Sequence, residues 1–189
     1  MNYKTRFIAA YQKSSEIGLE PDCKALPFQK KLSKNKIQTI LHSCADYLYS
    51  VSFEKSSDLA SNCIPVHFQI QAMLREKLSV DSFITIGDKV WSDYVYCKMS
   101  YRAIQQELGS PSVTSPLKAH VWLTLGDGSV LDCTGEAHMD ILFDRGEHPT
   151  HKCFAFIPPE KSVSDGYYRP YLVGSEFLKK SGALAIVPA

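Results

Sequence analysis

The chain of 189 residues has no uninterrupted apolar run of the roughly 18 residues that a membrane-spanning helix requires, so no membrane partner is expected. Its opening, MNYKTRFIAAYQKSSEIG, has a basic start but only the short apolar run Phe7 to Tyr11, too brief for a secretion signal. The expectation is a cytoplasmic protein. Neither sign of charge is in excess: 21 basic residues face 20 acidic ones without long runs, which leaves no footprint for nucleic acid. The six cysteines (Cys23, Cys44, Cys63, Cys97, Cys133, Cys153), with no secretion signal, read as reduced thiols and not as a disulfide framework. Internal repeats, low-complexity tracts and a G-x-x-x-x-G-K-[ST] phosphate loop are all missing. His138, His148, His151 and Cys153 lack a second pair at structural-zinc spacing, so no metal is expected.

What is present is enough apolar mass, 44% hydrophobic and 11% aromatic, for one sizeable core. The expected organisation is a single domain over 1–189, with an N-terminal helical part (1–55) leading into an α+β core (56–189). Phe7, Ile8 and Tyr11 predict a helix over 3–17 that Gly18 and Pro21 close. After a break at Leu26-Pro27, Ile37, Ile40, Leu41, Cys44 and Leu48 recur at helical spacing and predict an amphipathic helix. The polar stretch Glu54 to Asn62 reads as a loop. A further helix is predicted from Cys63 to Leu78, with Ser61 or Asn62 as its cap and Pro65 in its first turn, where a missing N–H is tolerated.

Beyond Ser79 the period changes. Ser82 to Ile86 and Lys89 to Trp91 read as two strands joined by a Gly87-Asp88 turn, and Tyr101 to Leu108 as a short helix. A hairpin follows, Ala119 to Leu125 and Ser129 to Thr134 around Gly126-Asp127-Gly128. A strand near Cys153 to Ile157, a tyrosine-rich segment Tyr167 to Val173 and a helix Glu176 to Lys180 end the chain. Helices first and an antiparallel sheet afterwards indicate an α+β layered fold.

Three residues in this order carry chemistry. Cys63 opens a helix, and a helix N-terminus and a nearby imidazolium both favour the nucleophilic thiolate. His120, inside a strand, is the candidate base and then acid. Asp132, on the next strand, is the candidate to hold the imidazole's other N–H and fix its tautomer. Register decides whether the last two share a face. A two-residue turn would pair Leu125 with Val130 and send Asp132 to the face away from His120. A three-residue loop, with Gly128 left-handed in a G1 bulge, pairs Leu125 with Ser129 and Trp122 with Asp132. Side-chain alternation then sets Asp132 and His120 on one face as diagonal neighbours, roughly 7–8 Å apart. The bulged form is therefore expected. His67, one turn after Cys63, is read as packing because no third group accompanies it.

These residues resemble the Cys-His-Asp core of the transglutaminase-like superfamily, a branch of the papain-like fold. The similarity covers about residues 60 to 135: Cys63 at a helix start, the H-x-W strand His120-Val121-Trp122, and the D-x-T strand end Asp132-Cys133-Thr134. It departs from the usual pattern at Ser61-Asn62 before the cysteine and at Cys133, where proline is common. The resemblance implies a cysteine-bearing helix packed on an antiparallel sheet and acyl chemistry through a thioester, as in transglutaminases, amide hydrolases and deamidases. It implies a protein, peptide or small amide or acyl substrate, without cofactor or metal. The Cys63 N–H is the natural first oxyanion donor and Asn62 a candidate second; Trp122 is core or a wall of the cleft. The loops Ser110 to Lys118 and Gly135 to Thr150 are candidate substrate walls. The alternative is a non-catalytic binding module that keeps Cys63, His120 and Asp132 for packing.

Overall fold

A computed structural model describes residues 2–21, 28–111, 117–161 and 166–184. In chain order the elements are helices α1 (Tyr3–Glu16), α2 (Lys34–Ser50), α3 (Ser56–Leu59) and α4 (Cys63–Leu78), strands β1 (Ser82–Trp91) and β2 (Tyr94–Tyr96), and helix α5 (Tyr101–Gly109). They continue with strands β3 (His120–Leu125) and β4 (Val130–Asp132), helix α6 (Gly135–Leu142), strands β5 (Ala155–Ile157) and β6 (Tyr167–Val173), and helix α7 (Glu176–Lys180). The fold class is α+β, with antiparallel strand pairing throughout the pairs below. Among the described residues no helix is long and apolar enough to cross a membrane. The chain falls into two compact units, one of Leu26–Phe83 and Val121–Pro159, the other of Met1–Ala25, Ile84–His120 and Glu160–Ala189.

In the first of these, α2 starts where Ser33 Oγ accepts from the Lys36 amide, and it buries Ile40, Cys44, Ala45 and Leu48. Ile37 and Leu41, also predicted in the stripe, flank the buried line at intermediate exposure. The helix packs against α4. Fully buried Ile40, Leu48, Ile70 and Leu74 each contribute about 1.5–3 kcal/mol by leaving water. Strands β3, β4 and β5 form an antiparallel run in which Leu123 faces Leu131, Thr124 faces Val130 and Leu131 faces Phe156.

The β3–β4 turn is the bulged form expected from the sequence. The Leu125 amide donates to Ser129 O (2.8 Å), the Gly128 amide to Leu125 O (2.8 Å), and Gly128 has φ +89°. Two elements here differ from the sequence reading. The stretch Glu54 to Asn62 is not all loop: Asp58 Oδ2 accepts from the amides of Glu54 (3.0 Å) and Lys55 (3.1 Å), folding one helical turn as α3. The segment after Asp132, read only as a possible wall, forms α6, which packs against α3.

In the other unit β1 lies between β2 and β6, with Lys89 opposite both Tyr96 and Tyr168. Gly87-Asp88 is not a turn. The strand runs through it, and the register with β6 shifts between Ile86, opposite Leu172, and Gly87, opposite Pro170, which leaves Tyr171 of β6 as the extra residue of a bulge. Asp88 is fully buried because Arg169 grips it with two bonds (Nε to Oδ1 2.6 Å, Nη2 to Oδ2 2.8 Å) and the Met99 amide adds a third. Helix α1 lies against β6. Its buried Ser14 accepts from the Val173 amide (2.9 Å) and donates to Ala10 O (3.0 Å).

Candidate functional site

Cys63 is the first residue of α4 and 8% exposed. The chain enters that helix through Ser61 at φ +64°, a left-handed conformation that a non-glycine residue adopts at some cost. The expected side-chain cap does not form. Asn62, at the N-cap position, turns its Nδ2 to donate to Asp58 O (2.8 Å). Pro65 falls within the first turn, as the sequence predicts, and the Val66 amide closes onto Asn62 O (3.1 Å). The first-turn backbone amides of α4 therefore belong to Cys63 and Ile64, with no side chain of the N-cap residue turned onto them.

His67 is the residue that the sequence reading undervalued. It is fully buried, and its two ring nitrogens join two distant segments: Nδ1 lies 2.8 Å from Cys63 O, and Nε2 accepts from the Cys133 amide at 3.0 Å. A carbonyl oxygen can only accept and an amide can only donate, so these partners fix the neutral imidazole protonated on Nδ1. Asp132 Oδ1 is 3.6 Å from Nε2, beyond hydrogen-bond range, so the Cys133 amide and not the carboxylate decides the role of that nitrogen. With both nitrogens engaged by backbone, His67 is a clamp between the start of α4 and the end of β4, and not a base. The i, i+4 spacing from Cys63 was visible in the sequence; the partner 66 positions away was not.

Asp132 is fully buried. Its Oδ1 accepts from the Thr134 amide (2.9 Å), Thr134 Oγ1 (3.3 Å) and the Gly135 amide (2.9 Å), so the carboxylate holds the entry of α6, whose N-cap position is Thr134. Cys133 beside it is fully buried, and that burial, followed by its bond with Cys44, pushes its thiol well above the ordinary range. Trp122, opposite Asp132 by register, is fully buried and part of the core.

His120 belongs to the other unit, where it ends the stretch Ile84–His120. It is fully buried between Tyr96, at 5.0 Å between ring centroids, and Tyr168, at 6.4 Å with the rings 27° from parallel. Tyr96 and Tyr168 are thus buried around this imidazole, whereas Tyr101 and Tyr171 meet edge to face at 5.3 Å elsewhere.

A second polar cluster ties α3 to α6. Buried Ser56 donates to Asp140 Oδ2 (2.7 Å), Arg145 Nε donates to Asp140 Oδ1 (3.0 Å), and His148 Nδ1 lies 3.1 Å from Asp140 Oδ2. Cys153 Sγ is 3.5 Å from Ser56 Oγ, and burial raises its thiol. Among the described residues no three His, Cys, Asp or Glu side chains are grouped to hold a metal ion. Cys23, the Leu26-Pro27 break and residues 112–116 of the Ser110 to Lys118 loop lie outside the described residues.

Comparison with known proteins identifies no relative: no family model, no curated protein and no solved structure matches the chain.

Proposed function

We propose that this chain is a cysteine-dependent acyl-transfer enzyme of the transglutaminase-like, papain-like type, acting in the cytoplasm on a protein, peptide or small amide or acyl substrate. Cys63 Sγ attacks the carbonyl carbon while its proton passes to His120. The tetrahedral intermediate collapses to a thioester, and His120 returns the proton to the departing amine or alcohol. Water or an amine then attacks the thioester, His120 takes a proton from it, and the thiol is restored as the acyl product leaves. Asp132 orients the imidazole, and the Cys63 amide is the first donor to the oxyanion, with Asn62 the second candidate.

One observation carries this reading: the His67 clamp ties the peptide groups of Cys63 and Cys133 to a single imidazole, so the sulfur-bearing helix start and the Asp132 strand end are held in one place. The bulged hairpin supports it further, because that register sets Asp132 opposite Trp122 and so on the face that alternation gives to His120. The test is labelling with a thiol-directed electrophile at pH 7, with the adduct located by mass spectrometry. Wild type is expected to label at Cys63, and Cys63→Ser to lose that adduct. Equal labelling of both proteins, or a wild-type adduct elsewhere only, ends the assignment.

The binding-module reading draws on one fact, that Cys63 is only 8% exposed. It predicts labelling of native Cys63 slower than that of free cysteine, and unchanged by His120→Gln; the enzyme reading predicts faster labelling that falls in that variant.

A further inference from the structure

Lys89 is 1% exposed, at the middle of β1. Lysine is almost never fully buried without compensation. Its partners across the sheet are Tyr96 on β2 and Tyr168 on β6, and directly opposed residues of antiparallel strands point to the same face. Trp91, two residues along, shares that face. The Lys89 Nζ lies 4.0 Å from the Trp91 ring centroid and 4.9 Å from that of Tyr168. Both fall within the roughly 6 Å over which an aromatic face attracts a cation, an attraction strengthened where water is excluded. The same two tyrosines enclose His120, so the ammonium and the imidazole are built into one aromatic cluster.

We propose that Lys89 is a positioning residue for His120: its ammonium, fixed by Trp91 and Tyr168, disfavours a second positive charge nearby and keeps the imidazole in the neutral form that accepts a proton. Tyr96 from β2 and Tyr168 from β6 lie against the imidazole. Asp88 and Arg169, one position along β1 and β6, bind each other and largely cancel. Asp132, which the proposed mechanism assigns to the same imidazole, acts in the opposite sense and is unchanged by any substitution at Lys89. The role of His120 as base rests on the acyl-transfer reading; the charge coupling between the two side chains does not.

The experiment is an NMR pH titration of the His120 imidazole in the full-length protein, its signal assigned by its loss in His120→Gln. Lys89→Met removes the charge, keeps most of the length and gives the aromatic rings a sulfur to pack against. Lys89→Gln is the second neutral variant, used if the first does not fold. The titration midpoint is expected to rise by about one pH unit in the neutral variants, the lower end of what one nearby unit charge does to a titrating group. Lys89→Arg is expected to leave the midpoint near wild type. A midpoint unmoved in a folded neutral variant overturns the proposal. Cys63 labelling in wild type is measured alongside: a midpoint that moves in a protein whose Cys63 does not react removes the acyl-transfer reading and still demonstrates the coupling.

Discussion

Replacing His67 by leucine keeps most of the buried volume and removes both hydrogen-bonding nitrogens. The Cys133 amide then loses the acceptor it meets at 3.0 Å, in a site where the imidazole is fully buried. A buried donor left without an acceptor costs about 1–3 kcal/mol. The Cys63 carbonyl loses a bond too, but it keeps its helical place on α4, so that side of the loss is an ordinary net hydrogen bond, about 0.5–1.5 kcal/mol. Together the expected destabilisation is about 2–4 kcal/mol, a large share of the 5–15 kcal/mol typical of a folded protein. His67→Gln offers an amide oxygen to the Cys133 amide and is expected to lose about half as much. The assay is urea unfolding at pH 7, read as a lower midpoint at unchanged slope. A leucine variant within about 0.5 kcal/mol of wild type refutes the clamp, because it would mean that both backbone groups find other partners.

Two further predictions follow from the hairpin. Gly128→Ala forces a side chain into φ +89°, which costs about 1–2 kcal/mol; Gly128→Asn is expected to cost less, and equal melting temperatures for wild type and the alanine variant would contradict the bulged turn. Burial holds the Cys133 thiol well above its ordinary range, so above about pH 8.5 the unfolded chain gives up a proton that the folded chain retains. This stabilising contribution is complete below that pH and is lost as pH rises, by at most about 1.4 kcal/mol per pH unit for one thiol. Unfolding measured from pH 7.5 to 10 is expected to show a shallower alkaline loss in Cys133→Ala; identical slopes would count against it.

The sequence was most legible where a decision depended on neighbours in the chain. The bulged turn could be derived because Gly126-Asp127-Gly128 offers two registers and only one leaves Val121, Leu123 and Leu125 opposite to His120 and Asp132. The helix from Cys63 was legible for a similar reason, since Pro65 is tolerated only near a helix start. What escaped depends on distant partners. Gly87-Asp88 has the composition of a turn, but Asp88 is claimed by Arg169, 81 residues later, and that bidentate pair holds the segment in a continuous strand. Lys89, next to Asp88 in the chain, reads as a solvated strand lysine; only the strands that supply Tyr96 and Tyr168 make it a buried cation. The helix α6 had a local signal that the sequence reading left unused: an Asp followed two and three positions later by Thr and Gly accepts from their amides and so opens a helical turn.

Because Asp132 holds the entry of α6 and is also the proposed partner of His120, a simple deletion cannot separate structure from mechanism, whereas a charge-neutral isostere can. Asp132→Ala removes the acceptor for the Thr134 and Gly135 amides at the buried start of α6, a loss of about 2–6 kcal/mol from two stranded donors. Asp132→Asn keeps an oxygen in the same place, and a cap accepted by an amide oxygen is nearly as good as one accepted by a carboxylate, so the expected loss is within about 1 kcal/mol. The amide, however, has no charge to favour an imidazolium and presents a donor where the imidazole needs an acceptor. If Asp132 only caps α6, Cys63 in the folded Asn variant reacts with an electrophile at the wild-type rate. If it also orients His120, the rate falls at least tenfold while the unfolding midpoint hardly moves, a divergence that capping by itself does not produce.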